Sequence, residues 1–183
     1  VAKDLAEALR LYRLSADRGD AQGMASLGYL YANGRGVARD PASARAWYVE
    51  AGEKGDSRAM FNLALMLLRG EGGGSDWPEA VRWLRAAAER AHPSALRELA
   101  ALHDEGRAVA RDPKAAAEYL IAFHRTGGRK GRGDEMARPE AWSLATRRAL
   151  QRRLTELGVY SGPAHGIFDK RTRAALDQIA AAR

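Results

Sequence analysis

The chain repeats its own pattern at an interval of 36 residues: GYLYANGRGVARDP at 28–41 returns as ALMLLRGEGGGSDW at 64–77 and as AALHDEGRAVARDP at 100–113. The same step aligns Asp4, Asp40, Asp76 and Asp112, then Ala8, Ala44, Ala80 and Ala116, then the large residues Leu11, Trp47, Trp83 and Tyr119. A catalytic motif has no reason to recur at a fixed interval. A short supersecondary unit that cannot cover its own apolar face does, because it must stack on copies of itself. The pattern predicts three full units, 1–39, 40–75 and 76–111, and a half unit, 112–127.

Each unit reads as two helices. Asp40-Pro41 and Asp112-Pro113 put an N-cap acceptor before a proline at the first helical position, where a missing N–H costs nothing. Asp4 to Glu7 and Asp76 to Glu79 have the spacing of a capping box. Alanines and large apolar residues three and four apart then draw one stripe, as in Ala8, Leu11, Tyr12 and Ser15. Gly19-Asp20, Gly55-Asp56 and Ala91-His92-Pro93 interrupt it, and a second helix carrying Met24, Leu27, Leu30 and Tyr31 runs to Gly34. Gly34, Gly70 and Gly106 stand where a helix C-terminus wants a left-handed residue. Gly36 and Gly72, with Ala108 third, turn the chain toward the next aspartate. The glycines of GRGVARDP are therefore punctuation between hairpins. No strand precedes them and no Lys-Ser or Lys-Thr follows, as a phosphate loop would require.

This period, with its Gly-Asp and Gly-x-Gly-Val-x-x-Asp marks, resembles the Sel-one-like repeat (SLR) family, relatives of the tetratricopeptide repeats; the fit is closest over LGYLYANGRGVARDPASARAWYVEAGEKGD, 27–56. The resemblance covers residues 1 to about 127. It implies a right-handed α-solenoid of helix-turn-helix repeats that offers a concave surface to a protein partner.

The array ends half-finished, since Gly131 and Glu135 occupy positions where the next helix needs a small residue and a leucine. Residues 128–141 read as a Gly-rich linker whose cluster Arg129, Lys130 and Arg132 is a solvated tether. In 142–183, Leu150, Leu154 and Leu157 share a helical face, Gly158 ends that helix, and Asp169 caps a second helix with Thr172, Leu176 and Ile179 inward. Two such helices are too little alone, so Tyr160, Ile167, Phe168 and Trp142 are expected to complete the core. The segment resembles the small three-helix peptidoglycan-binding domain of bacterial cell-wall proteins. The matching residues are Leu150-Gln151, Leu154, Leu157-Gly158, Tyr160, Gly162-Pro163, Gly166-Ile167-Phe168, Thr172 and Ala174-Ala175-Leu176. It departs from that family at His165, Asp169 and Ile179-Ala180, where the family commonly has Asp, Gly and an aromatic-Gln pair. The resemblance implies peptidoglycan as ligand, with Tyr160, Gly162, His165, Gly166, Phe168 and Thr172 as ligand-loop residues. It also implies a periplasmic or cell-envelope location.

Charge divides along the same line. Lys plus Arg against Asp plus Glu is 17 to 17 in residues 1–124 and 13 to 6 in 125–183, so the net +7 lies in the last third. Such an excess suits an anionic polymer or nucleic acid. A DNA-reading helix-turn-helix would need a turn of about three or four residues, far shorter than the loop ending at Asp169. No nucleic-acid partner is expected. No apolar run reaches the roughly 18 residues of a membrane span. Absent cysteine excludes thiol catalysis and disulfides. The start at Val1, already in helical pattern, suggests a piece of a longer protein.

Nothing in the chain reads as catalytic. His92, His103, His124 and His165 lack the spacing of a shared metal, so neither metal nor cofactor is expected. His92 and His124 read as solvated or capping residues. There is no Gly-x-Ser-x-Gly elbow, and Asp104-Glu105 and Asp134-Glu135 do not form a hydrolytic carboxylate pair. The recurring Tyr12, Trp47, Tyr48 and Trp83 read as core. Trp77 stands where other units have Leu5, Pro41 and Pro113; with Arg82 and Arg85 it is the candidate anchor for a protein partner. The expectation is a non-catalytic scaffold. The alternative from another class is the accessory region of a larger enzyme, such as a caspase-like peptidase, which would place the chain in the cytoplasm.

Overall fold

The computed structural model describes residues 2–126 and 141–182, with side chains from Leu5 onward. The cluster at Arg129, Lys130 and Arg132 lies outside the described residues, as does nearly all of the expected linker. Among the described residues every regular element is a helix: α1 (Ala2–Asp17), α2 (Ala21–Asn33), α3 (Pro41–Glu53), α4 (Ser57–Arg69), α5 (Trp77–Glu89), α6 (Pro93–Glu105), α7 (Pro113–Arg125), α8 (Leu144–Glu156) and α9 (Lys170–Ala181). The chain divides into two compact units, 1–92 and 93–183.

In the first unit the aspartates begin the helices as the sequence requires. Asp20, Asp40 and Asp56 each accept two backbone N–H groups of the following turn, and Asp76 accepts one, from Glu79. The capping boxes do not form. α1 already runs from Ala2, so Asp4 lies inside the helix rather than before it. Glu79 does not return to the Asp76 N–H, which donates to Leu67 O at 3.0 Å; its carboxylate instead accepts Trp83 Nε1 at 2.8 Å and pairs with Arg82. Gly34, Gly70 and Gly106 end α2, α4 and α6 at φ of 64°, 70° and 72°. The next turn position is left-handed in all three copies, at Gly36 (φ 73°), Gly72 (φ 75°) and Ala108 (φ 61°).

The helices pair most closely across these glycine turns, α2 with α3 and α4 with α5, and less closely across the short Gly-Asp breaks. The physical unit is thus out of phase with units counted from Asp40 or Asp76. Complementary sizes fix the contact. A Cβ on Gly28 would stand 2.7 Å from the Tyr48 ring, and burial pushes the Tyr48 phenol up to about 12. One step on, the same two positions hold Ala64 and Leu84, both fully buried. His92 is half-buried rather than solvated, because its ring stacks on Phe61 with centroids 5.0 Å apart; loss of solvent holds its pKa below the usual value.

The second unit joins the end of the array to the C-terminal helices. α7 pairs with α6 on one side and carries α8 and α9 on the other, while α8 and α9 touch each other only lightly. One apolar core runs from Ala117, Leu120 and Ile121 of α7 through Trp142, Leu150 and Leu154 to Tyr160, Phe168, Leu176 and Ile179. α7 is therefore the third helix of this core among the described residues. Trp142 fills it as expected, at 6 % exposure. Tyr119 of α7 packs half-buried against this core and stacks on His103, centroids 5.6 Å apart, and Phe123 is half-buried. His124, expected to be solvated or capping, is buried.

Candidate interaction surfaces

The loop 157–169 between α8 and α9 holds its shape through one buried amide. Gln151, fully buried on α8, donates its two Nε2 hydrogens to Ile167 O (2.8 Å) and Thr172 Oγ1 (3.0 Å), has Tyr160 Oη 3.3 Å from the same nitrogen, and accepts the Gly166 N–H at Oε1 (2.7 Å). A glutamine can both give and accept, so this single side chain satisfies both strands of a loop that has no ladder of its own. Tyr160 Oη donates onward to Pro163 O at 3.1 Å. At the far end Asp169 caps α9; the Thr172 backbone N–H, foremost among its partners, holds its carboxyl down to about 2.

Of the six residues expected to meet a ligand, Tyr160, Phe168 and Thr172 thus lie in the interior, at 5 %, 6 % and 0 % exposure. Gly166 is buried as well, and a Cβ there would meet Leu144 Cδ1 at 2.5 Å. Gly162 and His165 are partly exposed. His165 Nδ1 accepts the Ile167 N–H at 3.0 Å, a turn contact that orients the ring. The open face beside it carries side chains that the spacing argument placed in the core or passed over. Ile167 is 63 % exposed and Leu144 45 %, and Arg147 donates to Gly166 O at 3.0 Å. Arg148, Lys170 and Arg171 are exposed on the same two helices. Arg171 is paired with Asp169 at 3.0 Å, which leaves exposed apolar side chains with Arg148 and Lys170 for an amphipathic anionic ligand.

The start of α8 is held from α6. Asp104, buried at 6 % exposure, accepts the Ser143 N–H (2.9 Å), the Ser143 hydroxyl and the Thr146 hydroxyl (2.6 Å). It supplies from a distant helix the anion that a helix N-terminus favours. In the sequence Asp104 looked like half of an uninformative Asp-Glu pair. Its partners lie about forty residues on, and no local pattern could have shown them.

The partner-anchor residues sit on α5. Trp77 is half-buried, Arg85 exposed, and Arg82 exposed but engaged by Glu79 and laid over the Trp83 ring at 5.2 Å from its centroid. Trp83 itself is core, at 8 % exposure. Among the described residues there is no group of histidines and acids that could hold a metal, and no helix is long and apolar enough to cross a membrane.

The Sel1 repeat family model matches residues 1–20, 21–56, 57–92 and 93–122, two thirds of the chain, with boundaries in phase with the observed helix pairs. Residues 143–179 match the model of a peptidoglycan binding domain. Among solved structures, a Sel1 repeat protein from Oxalobacter formigenes superposes over 96% of this chain and 64% of its own, with TM-score 0.66 at 24% identity. The protective antigen c5321 of uropathogenic Escherichia coli, described as displaying an SLR fold, superposes over 98% of this chain and 42% of its own, with TM-score 0.63 at 29% identity. The chain thus spans less than two thirds of either neighbour. No curated protein matches it. Period, caps, turns and family match agree: the chain belongs to the Sel1 repeat family.

Proposed function

We propose that this chain is a non-catalytic adaptor of the bacterial cell envelope, holding a protein partner on its repeats and peptidoglycan on its C-terminal helices. The observation that carries the wall-binding half is the exposure of Ile167 and Leu144 near His165, with Arg148 and Lys170 exposed on α8 and α9. Peptidoglycan presents sugar faces and the carboxylates of stem peptides, so it offers both an apolar surface and negative charge to this face. Tyr160, Phe168, Thr172 and Gly166 support the loop from within, and His165 with Gly162 stands at its rim. On the repeats, Trp77 with Arg85 is the proposed partner anchor, since aromatic and arginine side chains dominate interface energetics.

Co-sedimentation with purified sacculi tests the wall-binding half. Cutting the module away is a poor control, because α7 would lose its cover; surface substitutions keep the core. The intact chain should pellet with sacculi, and the double variant Arg148→Glu, Ile167→Glu should pellet several-fold less. Equal pelleting of the two would remove the assignment.

A further inference from the structure

In the first unit α1, α2 and α4 enclose a groove of about 400 Å³, within the range of pockets that hold small ligands and peptide side chains, roughly 300–1,000 Å³. Leu5, Ala8 and Leu30 make its apolar floor, and Tyr12 and Tyr29 are exposed at its sides. Its polar groups are few and distinct. Asn62 gives one amide hydrogen to Tyr48 Oη at 3.3 Å, which among the described residues leaves its other N–H and its carbonyl oxygen for a guest. Arg58 is turned to Asp56 at 2.9 Å and is already neutralised. Arg35 lies over the Tyr29 ring at 5.4 Å from the centroid and has no carboxylate partner among the described residues. Among the described residues, no acidic side chain lines the groove.

We propose that this groove is a peptide-binding site for an extended segment of the partner protein that carries a carboxylate next to an aliphatic side chain. It rests on the protein-binding reading of the repeats and adds to the Trp77 anchor a second contact, at the opposite end of the first unit's sequence. The charge decides the occupant. A guanidinium over an aromatic ring, with no carboxylate partner among the described residues, beside an apolar groove selects for a carboxylate. The floor at Leu5 and Leu30 takes the neighbouring aliphatic group, and Asn62 can hold a backbone amide by giving and accepting at once. A basic segment would leave Arg35 facing like charge.

Panning phage-displayed random dodecapeptides on the intact chain tests this. Enriched peptides should carry Asp or Glu within two residues of Leu, Ile, Val or Met. Synthetic copies should bind about tenfold or more weaker to Arg35→Glu and to the groove-filling Ser26→Trp, and unchanged to a control at the exposed Glu89, Glu89→Ala. Tyr29→Ala, altering an exposed side chain, replaces Ser26→Trp if circular dichroism shows that the latter is misfolded. Peptides without acidic bias, or bound equally by the groove variants, would overturn the proposal, as would a panning that enriches nothing. If the enriched peptides are instead lost on Trp77→Ala, the groove is wrong while protein binding by the repeats stands.

Discussion

Ala108 holds a left-handed backbone, φ 61°, where the two earlier copies use Gly36 and Gly72. Such a conformation costs a residue with a Cβ about 1–2 kcal/mol, partly offset by the greater freedom of glycine in the unfolded chain. Ala108→Gly is therefore expected to stabilise the protein by about 0.5–1 kcal/mol, read as a higher urea midpoint. The reverse change is harsher at Gly72, because an added Cβ would lie 2.3 Å from Pro41 O. Gly72→Ala should cost about 3 kcal/mol in the same measurement, combining backbone strain with a steric clash. Gln151 is the residue on which the C-terminal loop depends. Gln151→Leu leaves the buried Gly166 N–H and the Ile167 carbonyl without their partner, and should lower stability by about 2–4 kcal/mol. Proton exchange at the Gly166 amide would report the loosening directly.

At the scale of elements, the aspartate caps make stability depend on pH. The Ser15 hydroxyl lowers the pKa of Asp20, the Ser43 hydroxyl that of Asp40, and the Ala115 N–H that of Asp112; Asp169 stands at about 2. A carboxylate with a lower pKa folded than unfolded contributes stability above its unfolded value, about 3.9, and loses it as pH falls through the folded value. The urea midpoint should hold near neutrality and fall steeply between about pH 4 and pH 2. His92, whose pKa is also depressed, resists protonation in the fold and adds in the same direction below 6.5. Asp40→Asn keeps an acceptor at the cap without the titrating charge, so its midpoint should vary less over that range. The caps at Asp40, Asp112 and Asp169 were legible because each is a local event, an oxygen two or three residues from the N–H it serves, whereas Asp20 read only as a break. The capping boxes were misjudged because α1 starts before Asp4, and because Glu79 finds partners on its own helix, Trp83 Nε1 and Arg82, while the Asp76 N–H goes to Leu67 O.

At the scale of the molecule, the expected unfinished end of the solenoid is covered by the C-terminal helices, through α7 and the tie of Asp104 to Ser143 and Thr146. Ending the chain at Thr126 should leave Ala117, Leu120 and Ile121 wet. The shortened protein is expected to bind a hydrophobic dye and self-associate in light scattering. A dye-silent monomer of native helix content would show that the cover is dispensable. The sequence alone determined the helices, their caps and turns and the 36-residue step, because all of these follow from interactions within a few residues or from strict repetition. The tertiary structure decided which helices pair and that α7 serves as the third helix of the second core. It also left Ile167 outside, while Tyr160, Phe168 and Thr172 lie inward as their spacing had indicated. The physical reason is that one apolar residue looks like another along a chain. Only the shape of the neighbours, set by residues far away in sequence, determines which of them is covered.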